Sequence, residues 1–186
     1  MLAELGWPLT AEQIVERFMG RTDAYMWSEI EANIGRPLPA DWHETSTARY
    51  REAFERGLTS VDGIEQAIDA IPVPTCVASS GTPEKIAYTL GRTGLLPRFQ
   101  GRIFSASKVA EGKPAPDLFL HAAKQMGAEP EACVVVEDTR AGVQGARAAG
   151  MRVFGYTGGL TPSGWLEREG ATEFTDMREL PKLLGF

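Results

Sequence analysis

The stretch "VVVEDTRAG", residues 134–142, drives three β-branched residues into two adjacent carboxylates and then into a run rich in small residues. β-branched runs favour buried strands. Side-by-side carboxylates repel each other, and burying one without a partner is expensive. A single acid at Asp138 suits a helix N-cap, and that simple reading stays open here. Two acids at the carboxyl end of a strand call for something positive beside them, either a metal ion or a lysine.

Working outward, the chain from residue 61 alternates helix and strand. A helix at 63–70 precedes the strand "TCVAS" (75–79), and a helix over 83–92 opens at Thr82 and Pro83. The strand "RIFSA" (102–106) leads to a helix at 116–126 with Pro116 at its first position. "ACVVVE" (132–137), a helix at 140–149, "RVFGYT" (152–157) and "TEFTD" (172–176) complete the alternation. The Ala- and Gly-rich composition of 140–149 predicts a helix lying close against a sheet. Such alternation means right-handed crossovers and a parallel α/β sheet, with ligands beyond the carboxyl ends of the strands. Upstream, 10–57 reads as helices only. Thr10 and Gln13 have capping-box spacing, and glycines at 20, 35 and 57 predict left-handed stops for three successive helices.

The bulk composition excludes several classes. A 186-residue chain with 43% hydrophobic residues can bury a sizeable core, as one domain or a core with a small insertion. Its net charge of −6, without a basic run, argues against nucleic acid and anionic membrane as partners. No apolar run reaches the roughly 18–20 residues of a transmembrane helix, and "MLAELGWPLT" lacks signal-peptide character. A cytoplasmic location is the expectation. Cys76 and Cys133 sit in apolar runs and read as buried free thiols, with a disulfide the second reading. His43 and His121 make no metal spacing, and the four tryptophans read as packing residues.

Three strand ends carry polar groups. Ser79 is followed by Ser80, Gly81 and Thr82, a hydroxyl, a glycine and a fresh helix start that can hold a phosphate. The same residues also make an ordinary helix cap. Prolines flank the loop of Lys113 in "EGKPAPDLF", fixing the backbone ahead of a helix. Glu137 and Asp138 form the third end. Hydroxyl, ammonium and paired carboxylates together suit Mg²⁺ and a phosphate, the components of phosphoryl transfer.

The segments "VASSGTPEKI", "EGKPAPDLFLHAAKQMG" and "CVVVEDTRAGVQGARAAGM" resemble motifs two, three and four of the haloacid dehalogenase (HAD) superfamily, in its phosphatase and β-phosphoglucomutase-like branch with a helical cap. The resemblance spans the chain. It implies a doubly wound parallel α/β core at 61–186, a helical cap at 10–60, and at 1–9 the remnant of a helix that follows the first motif. It places Ser79 in hydrogen bonding to the transferring phosphoryl group and Lys113 in the motif-three role. Glu137 and Asp138 become the acidic Mg²⁺ positions, Asp138 the closer to the metal. Ser80 and Gly81 join the phosphate loop. Arg21, in "MGRT", lies where such caps point a polar group into the site, although a solvated arginine is the simpler reading of it.

The family's first motif, an apolar strand ending in Asp-x-Asp, has no counterpart. No Asp-x-Asp occurs in the sequence. In the family the first aspartate attacks phosphorus and the second acts as acid and base. The expectation is therefore a chain that begins about two dozen residues late and lacks a central strand. Two strand edges and an apolar slot would then be exposed. The implied activity is Mg²⁺-dependent hydrolysis of a small phosphomonoester, a sugar phosphate in particular, with the chain itself inactive. The alternatives are β-phosphoglucomutase-like transfer and a non-catalytic protein that binds a small phosphorylated metabolite. Hydrolytic dehalogenation needs no Mg²⁺ and leaves the acidic pair without a role.

Overall fold

The computed structural model describes residues 1–186. The first third is helical: a 3₁₀ turn at Leu2–Leu5, then α1 (Ala11–Phe18), α2 (Asp23–Ile34) and α3 (Trp42–Gly57). The Thr10 capping box forms as the spacing predicts, with Thr10 Oγ1 accepting from Gln13 N at 3.2 Å and Gln13 Oε1 accepting from Thr10 N at 2.9 Å. Gly20 and Gly35 turn left-handed after α1 and α2, at φ 77° and 68°. Gly57 does not. It stays within α3, and the chain leaves the helix through extended Leu58, whose N–H still bonds Phe54 O. The third glycine stop is thus corrected: a poor helix former at a helix end is not by itself a left-handed cap.

The alternating part comprises α4 (Ile64–Ala70), β1 (Val77–Ser79), α5 (Pro83–Arg92), β2 (Ile103–Ser105), α6 (Asp117–Met126) and β3 (Val134–Glu137). It continues with α7 (Arg140–Ala148), β4 (Arg152–Tyr156), α8 (Trp165–Arg168), β5 (Thr172–Phe174) and α9 (Leu180–Leu184). Every strand pair is parallel. The strands form two pieces, β1–β2 and β3–β4–β5, and β1 and β3 are not hydrogen-bonded to each other. Helices join the two pieces. α6 packs on β1 and β2, α7 packs on β3 and β4, and the two helices pack together. Ala78 of β1 and Val135 of β3 touch the same cluster, built around Phe119, Val143, Ala146 and Leu166. On the other side of β3, Val134 and Val136 remain 38% exposed, an apolar face that no element of the chain covers.

Strand alternation explains the two cores. Val153 of β4 enters the α6–α7 cluster, while its neighbour Phe154 joins Ala67, Phe174, Met177 and Leu180 on the opposite face. Cys76 and Cys133 are free thiols. Both are half-buried rather than buried as expected, and loss of hydration raises both above the usual thiol value. His43 meets Trp27 edge-on and His121 meets Phe104 edge-on, consistent with structural roles. No helix is long and apolar enough to cross a membrane.

Glu173 organises the carboxyl-terminal end. Its carboxylate accepts from the backbone N–H of Gly164 (2.8 Å), Leu166 (2.9 Å) and Glu167 (3.0 Å), and from Ser163 Oγ at 3.3 Å. Burial alone would raise this carboxyl, but those donors outweigh it and hold it below the ordinary glutamate value. A depressed folded value stabilises the fold above the unfolded value, and that stability is lost as pH falls through the folded one. Glu173→Gln is expected to cost about 1–2 kcal/mol at pH 7. Urea melts at pH 7 and at about pH 3 check this, because the deficit should shrink as the carboxyl protonates.

Candidate active site

Two strand ends meet through Lys113. Its side chain is buried, and Nζ donates to Ala78 O at the end of β1 (3.2 Å) and pairs with Glu137 at the end of β3. The ammonium lies 4.9 Å from the centre of the Phe119 ring. Two of its three N–H donors are engaged, which leaves one to meet a ligand. The other Glu137 oxygen accepts from Asp138 N (3.2 Å), Thr139 N (3.3 Å) and Thr139 Oγ1 (2.9 Å). The positive partner that the acidic pair called for is therefore Lys113, and both oxygens of Glu137 are occupied.

Asp138 is different. Its backbone carbonyl accepts from Thr161 Oγ1, while its side chain is exposed to solvent. Loss of hydration among the surrounding protein atoms, and then the negative charge of Glu137, raise its carboxyl to about 6; Lys113 offsets part of this. Asp138 does not cap the helix that follows. Thr139 does, through Oγ1 accepting from Gly142 N at 3.0 Å, which corrects the simple reading of the opening stretch.

Gly142 explains why α7 begins with small residues. A Cβ on it would lie 2.0 Å from the Glu137 carboxyl carbon, so only glycine lets the carboxylate sit over the helix start. Gly142→Ala is expected to dislodge Glu137 and cost about 1–3 kcal/mol, measured as a lower thermal midpoint with weaker phosphate binding. An unchanged midpoint would contradict this close contact.

The loop after β1 is arranged as follows. Ser79 Oγ accepts from Gly81 N at 3.2 Å, and Thr82 caps α5 by accepting from Lys85 N at 3.3 Å. Ser80 Oγ donates to Gly20 O at 2.6 Å, so its hydroxyl fastens the helical segment to the core. Arg21 is not a solvated arginine. Nη1 donates to Lys113 O at 3.1 Å and the guanidinium lies 4.6 Å from the Tyr25 ring centre. Lys85 and Asp23, 3.4 Å apart, add an ion pair across the same seam. Ser79, Ser80, Gly81, Lys113, Glu137, Asp138 and Arg21 are thus linked around the carboxyl ends of β1 and β3. The sequence reading missed Thr139, Thr161 and Asp23. Of these, only Thr139 carried a local signal, a hydroxyl directly before a helix.

No group of three or more His, Cys, Asp or Glu side chains forms a metal cluster. The donor set fits Mg²⁺ in one limited way. Magnesium is often held by one or two carboxylates with water and phosphate oxygens completing the shell, and Asp138 has free oxygens for that role.

Parallel strands joined by helices, with a lysine and an acid pair gathered at the strand ends, define an α/β core of the doubly wound type with a polar site at its carboxyl edge. Residues 2–150 match the haloacid dehalogenase-like hydrolase family. The chain belongs to that family, on its phosphatase branch. It is 30% identical over 184 residues to the 6-phosphogluconate phosphatase of Escherichia coli, covering 98% of this chain and 83% of the relative. A crystal structure of a conserved haloacid dehalogenase-like protein from Agrobacterium tumefaciens superposes with a TM-score of 0.81 at 36% identity, covering 98% of this chain and 86% of the other. A HAD family hydrolase from Deinococcus radiodurans, crystallised with bound phosphate and sodium, gives 0.73 at 30% identity over 98% and 83%.

Proposed function

We propose that this chain carries the phosphate-gripping and charge-balancing part of a Mg²⁺-dependent phosphatase site for a small phosphomonoester, in particular a sugar phosphate. The observation that supports this best is Lys113, held at the junction of two strand ends with one donor unspent and Asp138 beside it. The family membership and the phosphate held by the Deinococcus relative support the same reading, and the name of the Escherichia coli relative supports a sugar-derived substrate.

In this proposal Ser79 Oγ and the backbone N–H groups opening α5 hold phosphoryl oxygens, and Lys113 neutralises them. Glu137 keeps Lys113 in place rather than binding metal. Asp138 holds Mg²⁺, which when bound supplies charge neutralisation at the phosphate. Residues 10–60 act as a cap, fastened by Ser80, Arg21 and Asp23, that excludes water from the site.

No residue here is set to attack phosphorus. Glu137 is fully engaged, Asp138 is assigned to the metal, and no Asp-x-Asp occurs in the sequence. That absence favours phosphate-ligand binding as the second reading for the 186-residue chain by itself. Residues 1–186 are expected to bind inorganic phosphate with Mg²⁺ in a calorimetric titration and to release no phosphate from sugar phosphates above background. General acid–base help alone is worth about 10²–10⁴-fold, so the loss should be plain. Robust Mg²⁺-dependent turnover would overturn this division of roles, and failure to bind phosphate would overturn the site assignment.

A further inference from the structure

Two of the four tryptophans already carry a cation of the chain. The Arg17 guanidinium lies 5.5 Å from the Trp7 ring centre, and that of Arg140 lies 5.8 Å from the Trp165 ring centre. Trp27 and Trp42 have no such cation over them. Both are half-buried, and both line a groove of about 420 Å³ between α2 and the start of α3, which no strand-end residue reaches. Ala24, Trp27, Ser28 and Glu31 form its wall on α2, spaced so that they share one helix face. The segment 35–41 forms the other wall. After the left-handed turn at Gly35, Leu38 N donates to Glu31 Oε1 at 2.9 Å, which folds the chain back along its own helix. Trp42 N then bonds Pro39 O at 2.9 Å, and His43 meets Trp27 edge-on with ring centres 5.0 Å apart. Glu31 thus spends one oxygen on Leu38, and no lysine or arginine of the chain pairs with its charge. Two indole faces without a cation and a carboxylate without a counter-ion share one groove.

We propose that this groove binds a small organic cation, a quaternary ammonium group in particular, at a site separate from the phosphate site. The face of an aromatic ring is negative, and tryptophan attracts a cation more strongly than the other aromatic side chains do. Glu31 supplies the formal charge that selects a cation over a neutral or anionic ligand. The rest of the lining favours an alkylated cation over a compact hydrated one. Ala24, Leu38 and Pro39 offer apolar contact to methyl groups and no oxygen shell to replace water. A cavity of about 150 Å³ holds benzene, so the groove has room for a trimethylammonium group and the chain that carries it.

The test is titration of the 186-residue chain with choline chloride, read by tryptophan emission and by calorimetry. Its uncharged isostere, in which carbon replaces the quaternary nitrogen, and potassium chloride serve as comparisons. Choline should bind with a Kd of about 1 mM or tighter, the isostere about tenfold more weakly, and potassium not at all. Trp27→Leu and Trp42→Leu should each weaken choline binding about tenfold, and Trp27→Phe, which keeps a ring beside His43, should weaken it less. Glu31→Gln, which keeps an oxygen for Leu38 N, should weaken it by about fivefold or less. Trp165→Phe, at a ring that Arg140 already covers, should bind choline as the wild type does; thermal melts show whether each variant is folded. Equal affinity for choline and its isostere overturns the assignment to a cation. Choline binding that survives the double variant Trp27→Leu with Trp42→Leu, or that is lost in Trp165→Phe, overturns the location. Competition between choline and inorganic phosphate overturns the separation of the two sites, and the absence of any saturable response to choline overturns the proposal outright.

Discussion

Replacing Lys113 by methionine is expected to cost about 3–5 kcal/mol of folding stability and to weaken inorganic phosphate binding at least tenfold. The first effect comes from what is left behind. Glu137 is buried, and the Lys113→Met substitution removes its only counter-ion while the backbone and Thr139 donors remain. An unpaired buried carboxylate is costly, whereas removing both charges together can be nearly neutral. The double variant Lys113→Met with Glu137→Gln should therefore regain most of the stability, because the glutamine amide oxygen still accepts from Thr139. It should not regain phosphate binding, because the ammonium is gone. Urea denaturation of the single and double variants, beside calorimetry, separates the two roles. A single variant within about 1 kcal/mol of wild type would show that the pair is solvated and that Lys113 does not hold the strand ends together.

The parts of this arrangement differ in how far local sequence reveals them. Strand β3 and helix α7 follow from a β-branched run, a hydroxyl cap and small residues, all within "VVVEDTRAG". The Thr10 capping box and the Gly35 stop are likewise decided by neighbours three or four residues apart. The site is assembled from residues that are remote in the chain. Arg21 bonds the carbonyl of Lys113, 92 positions away, and Ser80 reaches Gly20 across 60. No periodicity encodes such contacts, so neither the Arg21 bond to Lys113 nor the Ser80 bond to Gly20 was legible, and Arg21 stood between a substrate contact, by resemblance, and a solvated arginine. The role of Glu137 was hidden for a related reason: two carboxylates in sequence announce a positive charge nearby but do not say whether it is a metal or a lysine 24 residues upstream. Glu173 gave no signal at all, since its donors come from the turn and helix start at 163–167, a conformation that only the folded chain defines.

Asp138→Asn is expected to make the protein more stable and less functional at once. The carboxyl of Asp138 is raised from 3.8 to about 6, so the folded state holds the proton more tightly than the unfolded chain does. Stability from this group is complete below about pH 4, falls as pH rises, and is lost above about pH 6. Solvent access screens most of the ~3 kcal/mol that such a displacement represents, leaving about 1 kcal/mol. Asparagine removes the charge and should recover that amount. In metal-free buffer its thermal midpoint should exceed wild type at about pH 8 and approach it at about pH 4. Mg²⁺ should stabilise wild type and leave the variant unchanged, and phosphate affinity in Mg²⁺ should drop roughly 10- to 100-fold. The two measurements together test the proposed role of the acid, a carboxylate that lowers the stability of the metal-free protein and would hold a cation beside the phosphate. A variant that loses stability at about pH 8, or that responds to Mg²⁺ as wild type does, would show that Asp138 serves the fold rather than the metal.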